Sequence, residues 1–249
     1  MKWNMRYIKP FWIFLLMFIW ESVARLEVVN PLLLPPLSKV LIELIQGIAN
    51  GKLLLQGLQS IAMVVLGLFI SVILGILITY LDYFYPVIRG LLEVLASIFH
   101  PLPGIALLPV IVLWAGVGMD AVLLIIIHAV LWSFYLNLKM GFNTIEKSLI
   151  EAARNNGARN FQLFRFVLLP ESSSSILTGL RIGWSRGWRG LISAEMIFGA
   201  ISSIGGIGWF MYERRAFGDI VGTYAGIVFV AAIGVFVEQV LFRHTKVND

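Results

Sequence analysis

The chain carries, at residues 57–80, the uncharged run GLQSIAMVVLGLFISVILGILITY. A helix needs about 20 apolar residues to cross the hydrocarbon core of a bilayer, so this run predicts a membrane-spanning helix. The sequence contains five further candidate spans, at 11–26, 87–114, 119–141, 173–199 and 220–242. The third span in chain order includes Pro101, Pro103 and Pro109, which predict a kinked or broken helix. The pattern therefore predicts an all-α membrane protein with six transmembrane helices.

The overall composition also indicates a bilayer environment. Hydrophobic residues make up 59% of the 249 residues and charged residues only 13%, more apolar surface than a soluble domain of this size can bury. The net charge of +5 is explained by basic loops that hold the membrane topology, so nucleic acid is not expected as a partner. Cysteine is absent, and His100, His128 and His244 lie on separate segments, so no metal site is predicted.

The distribution of lysine and arginine predicts the orientation. With a cytoplasmic N-terminus, the inside segments hold eleven basic residues and the outside segments five. Basic residues favour the cytoplasmic side, so we expect both termini to lie in the cytoplasm. Lys2, Arg6 and Lys9 before the apolar run also resemble a cleavable secretory signal, but five more spans follow and favour an uncleaved first helix.

Two polar stretches between the spans have helical character. Residues 38–49 alternate apolar and polar residues with helical spacing, and Ser38 is predicted to cap this interfacial helix. The longer stretch, 142–172, contains IEAARNNGAR at 150–159, where Gly157 fits the left-handed position that ends a helix. Its alanines make one helix face shallow, so another protein could approach the backbone closely. From the residues alone, an ordinary solvated loop is an equally good interpretation.

The 142–172 loop resembles the EAA loop of ABC-importer permeases. The matching residues are Glu151-Ala152-Ala153, then Gly157, then Leu169-Pro170. Similar likenesses at Leu34-Pro35-Pro36, Pro101-Leu102-Pro103, Thr178–Arg181 and Ala194–Met196 extend the resemblance over about residues 34–242. They resemble the branch that serves nitrate, aliphatic sulfonates, taurine and bicarbonate. Pro36 and Gly104 depart from that branch, which usually has Ser at the first position and a proline or small residue at the second.

This resemblance implies a single permease domain over residues 1–249 with a MetI-like, type I importer bundle. The implied ATPase-coupling residues are Glu151, Ala152, Ala153, Arg154, Gly157, Leu169 and Pro170. The implied partners are cytoplasmic ATP-binding subunits, a second permease copy in a homodimer, an extracytoplasmic substrate-binding protein and the lipid of a bacterial cytoplasmic membrane. The chain contains no phosphate-binding Gly-x-x-x-x-Gly-Lys-Ser/Thr motif, so ATP and Mg²⁺ are expected on the partner ATPase, and the chain is expected to be neither an enzyme nor a cofactor protein.

The expected function is passage of a small solute delivered by the binding protein. The resemblance favours an anion such as sulfonate, taurine, nitrate or bicarbonate. Two alternatives stay open: the same permease class carrying a vitamin precursor or another heterocycle, and an ATP-independent secondary transporter.

The fifth span carries four charges at membrane depth, which usually face a bundle interior or water. At about 100° per residue, Arg181, Trp188 and Glu195 share one face, for which we predict a structural role. A second face, made of Arg186, Arg189 and Ser193, is predicted to line the anion pathway together with His100 at the proline-rich break, because guanidinium groups match oxyanions. The open alternative is that one or both arginines snorkel or bond backbone carbonyls.

Other polar and small residues near the spans receive structural interpretations. His128 is predicted to be a packed, hydrogen-bonded histidine, and the Ser172–Ser175 run an N-cap, with Pro170 ending the helix before it. Glycines between spans five and six, at 199, 205, 206 and 208, are expected to make that connection permissive or to shape a docking surface.

Overall fold

Every regular element in the described part of the chain is helical. The computed structural model describes residues 5–199 and 204–241. The α-helices are α1 (Met5–Arg25), α2 (Leu37–Ala49), α3 (Lys52–Phe84), α4 (Pro86–Phe99), α5 (Leu108–Ala115), α6 (Met119–Asn143), α7 (Lys147–Asn155), α8 (Asn160–Leu163), α9 (Leu169–Glu171), α10 (Ser173–Phe198), α11 (Ile207–Ala216) and α12 (Ile220–Leu241). A 3₁₀ turn, Gly104–Leu107, precedes α5, and a wider π turn, Phe164–Leu168, joins α8 to α9. Residue 242 of the last predicted span and His244 lie outside the described residues.

Helices occupy all six predicted spans. By length and composition, α3, α6 and α12 can each cross a bilayer. The fourth candidate is a pair, Pro86–Phe99 and Gly104–Ala115, bent by 96°, so the break predicted from the prolines is present. Helix α10 has 26 residues, which is long enough to cross a bilayer, but its four charged residues make it less apolar than the other candidate spans. Only 22% of the apolar window of α3 is buried inside the chain, which leaves most of its surface for lipid.

The centre of the bundle is α6, which packs against α10 and α3. Its Ile126 and Phe134 are fully buried. A Cβ added to Gly67 of α3 would lie 2.4 Å from Ile126 Cγ2, and one added to Gly75 would lie 2.5 Å from Phe134 Cδ1. Small residues let membrane helices approach closely, and here they bring α3 onto α6.

The start of α2 is held by α1. The Ser38 backbone N–H donates to Glu21 Oε2 at 3.0 Å, and Ser38 Oγ donates to Glu21 Oε1 at 2.9 Å. The prediction that Ser38 caps this helix was wrong, because Pro36 occupies the cap position and Ser38 lies inside the first turn. Since proline offers no side-chain acceptor, the carboxyl group of the preceding helix satisfies the free N–H instead.

Candidate functional site

The four residues predicted to line a pathway border one cavity. His100, Arg186, Arg189 and Ser193 line a space of about 560 Å³ between the α4–α5 break, α6 and α10. The wall is completed largely by the break itself and by one face of α6, with Pro101, Pro103, Gly104, His128, Trp132 and Gly190 among its members. The fold therefore brings the predicted pathway face of α10 together with His100, which is distant in the sequence.

The cavity owes its shape to the broken span. Pro101 and Pro103 lack a backbone N–H and cannot continue a helix, so α4 ends at Phe99 and the chain turns away. Gly104 then rests directly on α6: a Cβ there would lie 3.3 Å from the backbone oxygen of Ile125. Irregular backbone at membrane depth is tolerated where it lines a cavity, and this break does so.

The cavity carries positive charge without an acidic partner among the described residues. Arg186 is half-buried and makes no ion pair there, and Arg189 donates from Nε to the Ser185 carbonyl at 3.1 Å. Arg186 lies close enough to both Arg189 and His100 for coulombic interaction with each. Both arginines also border a second space of about 550 Å³ beside α12, which Glu238 lines too, although that carboxylate is paired with Arg181. Uncompensated positive charge inside low-dielectric walls raises the local concentration of anions.

His128 is packed inside the bundle, as predicted, and it also borders this cavity. Both ring nitrogens are buried and make no hydrogen bond of normal geometry among the described residues, although the ring lies close to the Phe99 backbone carbonyl. The His128 ring contacts Phe99 edge to face, with 6.0 Å between the ring centroids. Trp132 stacks on the same Phe99 ring, with 5.7 Å between the centroids. The cavity position was not predicted, because an apolar helix pattern does not reveal the chain break that packs opposite His128. The spacing of His128 and Trp132, four residues apart on α6, was the available signal.

The predicted structural face of α10 is largely buried. Trp188 is 6% exposed and Glu195 is 3% exposed, as expected for a packing face. Arg181 differs, because its side chain is 47% exposed and pairs with Glu238 of α12 at 2.5 Å. Burial therefore distinguishes Trp188 and Glu195 from the exposed Arg189 and Ser193, whereas Arg181 borders the same space as Arg186 and Arg189.

Glu195 holds the beginning of α11. Ser60 Oγ donates to its Oε1 at 2.8 Å, and the Gly208 backbone N–H donates to its Oε2 at 2.8 Å. Ser60 Oγ also accepts from the Ile207 N–H at 3.0 Å. A Cβ on Gly206 would lie 1.9 Å from Glu195 Oε1. Gly206 and Gly208, predicted to make the connection permissive, are thus required by a close contact, and Ser60 was not predicted at all.

The helix predicted in the 142–172 loop is present as α7. Its end matches the prediction, since Gly157 has φ +84° and its N–H donates to the Arg154 carbonyl at 2.9 Å. Glu151, Ala152, Arg154 and Gly157 are exposed. Ala153 is half-buried and packs on the cluster beneath α7. The segment therefore presents its charged and small residues outward.

The second half of the loop is anchored to α6. Leu163, Phe164 and Leu168 are buried against it. The helix end predicted at Pro170 comes one residue later, because α8, the π turn and α9 form one helical stretch that ends at Glu171. The wider π turn before Pro170 accommodates its missing backbone N–H, and the helical stretch is broken at Ser172, just before α10. Ser172 stands at the N-cap position of α10, but its buried Oγ makes no capping bond among the described residues.

A partly buried ion cluster, absent from the sequence predictions, joins three helices at the bundle end that carries α7. Lys139 Nζ of α6 donates to Asp82 Oδ1 of α3 at 2.8 Å and to Glu93 Oε1 of α4 at 2.9 Å. The Tyr135 hydroxyl donates to the same Asp82 oxygen at 2.8 Å. Arg89 Nε donates to the Asp82 carbonyl at 3.1 Å. The bonds from Lys139 and Tyr135 to Asp82 and Glu93 join residues that lie 46 to 57 positions apart along the chain.

Known proteins resemble the chain over most of its length. Residues 71–244 match the family described as "Binding-protein-dependent transport system inner membrane component". The taurine transport system permease protein of Escherichia coli (strain K12) is 32% identical over 228 residues, covering 90% of this chain and 82% of that protein. The formylaminopyrimidine transport permease protein of Halalkalibacterium halodurans is 27% identical over 236 residues, covering 94% and 92%.

A solved structure has the same fold. A chain of the methionine ABC transporter MetNI, in inward-facing conformations, matches with a TM-score of 0.61 at 20% identity, covering 78% of this chain and 95% of that one. This likeness supports the MetI-like bundle expected from the loop.

Proposed function

Because the chain belongs to the family of binding-protein-dependent transport system inner membrane components, we propose that the cavity around Arg186 and Arg189 is the pathway through which it passes a small anion. The family makes the chain the permease subunit of an ABC importer for a small solute, with ATP hydrolysis on a separate subunit. The observation that carries the proposal is the pair of arginines without acidic partners among the described residues, in one cavity with His100.

An oxyanion fits the charge and geometry of this cavity. Guanidinium groups present paired donors that match the oxygens of a sulfonate or carboxylate, and they stay charged at any physiological pH. The relative from Escherichia coli is named for taurine, an aminosulfonate, which agrees with this chemistry. A secondary transporter is disfavoured by the family, and by a loop whose exposed helix suits docking of an ATPase.

A heterocyclic solute is the second candidate. His128 and Trp132 give the cavity an aromatic wall, and the ring nitrogens of His128 make no hydrogen bond of normal geometry among the described residues. The relative from Halalkalibacterium halodurans is named for formylaminopyrimidine. Aromatic side chains stack on heterocycles, but two adjacent guanidinium groups favour an anion over a neutral ring, so we place this solute second.

The exposed part of the loop is the proposed contact with the ATPase, which would hold the ATP and Mg²⁺. Glu151, Ala152, Arg154 and Gly157 would face a groove of that subunit, while Ala153, Leu169 and Pro170 would support them from behind. The proposal also includes two protein partners: a second copy of the chain in a homodimer and an extracytoplasmic binding protein. It places the chain, as one permease domain, in a bacterial cytoplasmic membrane with both termini in the cytoplasm. The structural roles of Arg181, Trp188 and Glu195 also belong to it.

The proposal is tested by uptake into proteoliposomes that contain the permease, its ATPase and its binding protein. Labelled taurine and labelled formylaminopyrimidine are compared with and without ATP. The double change Arg186→Gln and Arg189→Gln should abolish uptake of the anion while the ATPase still copurifies. Lys39→Gln, which removes an exposed lysine of α2, is the matched control and should leave uptake intact. Unchanged uptake in the double variant would refute the pathway, and uptake of the heterocycle alone would favour the second candidate.

A further inference from the structure

We propose that Lys139 is a positioning residue for transport, which ties α3 and α4 to α6 so that a displacement of α7 reaches the cavity wall. This inference rests on the coupling role proposed for α7. It assigns a function to the partly buried ion cluster of Asp82, Glu93, Tyr135 and Lys139, none of which belongs to the proposed pathway or to the loop.

The contacts of the cluster with Asp82 of α3 are short and buried. The Asp82 side chain is 5% exposed and that of Lys139 is 19% exposed, and their atoms meet at 2.8 Å. The Tyr135 hydroxyl, also fully buried, supplies a second donor to Asp82. In a low-dielectric interior such a satisfied network is stiff, because any separation leaves a buried charge without its partner. The end of α3 therefore moves with α6.

The same lysine holds α4 from its exposed side. Lys139 Nζ lies 2.9 Å from Glu93 Oε1, whose side chain is 58% exposed. Arg89 fastens the corner between the two helices, since it donates to the carbonyls of Asp82 and Tyr83 at 3.1 and 3.0 Å. Only the contact to Glu93 joins α4 to α6 through an ion pair in the described residues.

The cluster lies directly beside the proposed coupling helix. A cavity of about 450 Å³ is bordered by Asp82, Glu93 and Lys139 on one side and by Arg154 of α7 on another. Helix α6 ends at Asn143, four residues after Lys139, and α7 begins at Lys147. A connection this short passes a displacement of α7 to the end of α6 with little slack.

The other end of α4 forms the wall of the anion cavity. Glu93 and His100 are seven residues apart, which is about 10 Å along a helix at 1.5 Å per residue. Packed helices shift as near-rigid bodies, so a displacement imposed on Glu93 reaches His100 and Pro101 at the cavity. The proposed route runs from α7 through α6 and Lys139 to α4.

The variants are chosen so that a loss of coupling can be told apart from a loss of folding. Lys139→Gln would leave Asp82 buried without its cation and could unfold the protein. Glu93→Gln removes only the exposed partner, and Lys139→Arg keeps both ion pairs within reach. Lys52→Gln is the matched control, because it breaks an ion pair to Glu213 at the opposite end of α3.

Uptake per ATP hydrolysed is measured in proteoliposomes with the ATPase and the binding protein, beside copurification of the ATPase. For Glu93→Gln we expect normal copurification and hydrolysis, with uptake per ATP lower by about fivefold or more, the lower range of couplings between distant sites. Lys139→Arg and Lys52→Gln should match the wild type. An unchanged ratio in Glu93→Gln, or a fall in copurification that accounts for the lost uptake, would overturn the proposal. A wild type without ATP-dependent uptake would instead refute the proposed function.

Discussion

Replacing Gly206 by alanine should destabilise the protein through Glu195. The new Cβ would lie 1.9 Å from Glu195 Oε1, so the carboxyl group must leave its position. That movement breaks the bonds from Ser60 Oγ and from the Gly208 N–H, both buried. A buried donor left unsatisfied costs about 1–3 kcal/mol, so two donors cost about 2–6 kcal/mol.

The assay is thermal unfolding of the purified protein in mild detergent. At about 2 °C for each kcal/mol, a loss of 2 kcal/mol lowers the midpoint by about 4 °C or more. Gly90→Ala is the control: it lies inside α4 with open space around its Cβ, and it should keep or slightly raise the midpoint. The double change Gly206→Ala and Glu195→Ala removes the clash and should cost no more than Glu195→Ala alone. A Gly206→Ala protein as stable as the wild type would refute the reasoning, as would simple additivity in the double variant.

Three further variants probe other parts of the structure. Gly157→Asp should abolish uptake and weaken copurification of the ATPase, while membrane insertion, followed by membrane fractionation, stays normal. Gly157→Asn tolerates the left-handed backbone as Asp does but adds no charge at the ATPase contact, so it should retain more activity. Gly67→Leu should overpack the contact with Ile126 and destabilise the bundle by about 1–3 kcal/mol, visible as a lower thermal midpoint. Glu21→Ala should free the start of α2 at Ser38 and cost about 0.5–2 kcal/mol, and a midpoint equal to the wild type would contradict that capping contact.

Features that depend on nearby residues were predicted from the sequence. The apolar run at 57–80 became α3, and the prolines after His100 became the 96° break. Gly157 adopts the left-handed conformation expected at a helix end. Trp188 and Glu195 are buried on one side of α10, and helical periodicity alone places them there because it decides which residues of a helix point the same way.

Features that depend on which helices meet were missed or wrong. Nothing local relates Ser60 to Glu195, 135 residues later, or Asp82 to Lys139, 57 residues later. His128 could not be assigned to the cavity without knowing that the break packs against α6. Local rules also failed where tertiary contacts competed: Glu21 from α1 took the capping role predicted for Ser38.

The absence of cysteine makes the pathway open to a direct test. Ser193→Cys places a single thiol in the cavity beside Arg189, and its labelling in membranes can be timed with anionic and cationic thiol reagents of equal size. Using both reagents cancels the reactivity of the thiol itself, and Ser71→Cys, at a fully buried position, serves as the inaccessible control. Our account predicts that the anionic reagent reacts faster at Ser193→Cys, and that the preference falls when Arg186→Gln is added. Absence of labelling, or equal or faster reaction with the cationic reagent, would contradict an anion pathway through this cavity.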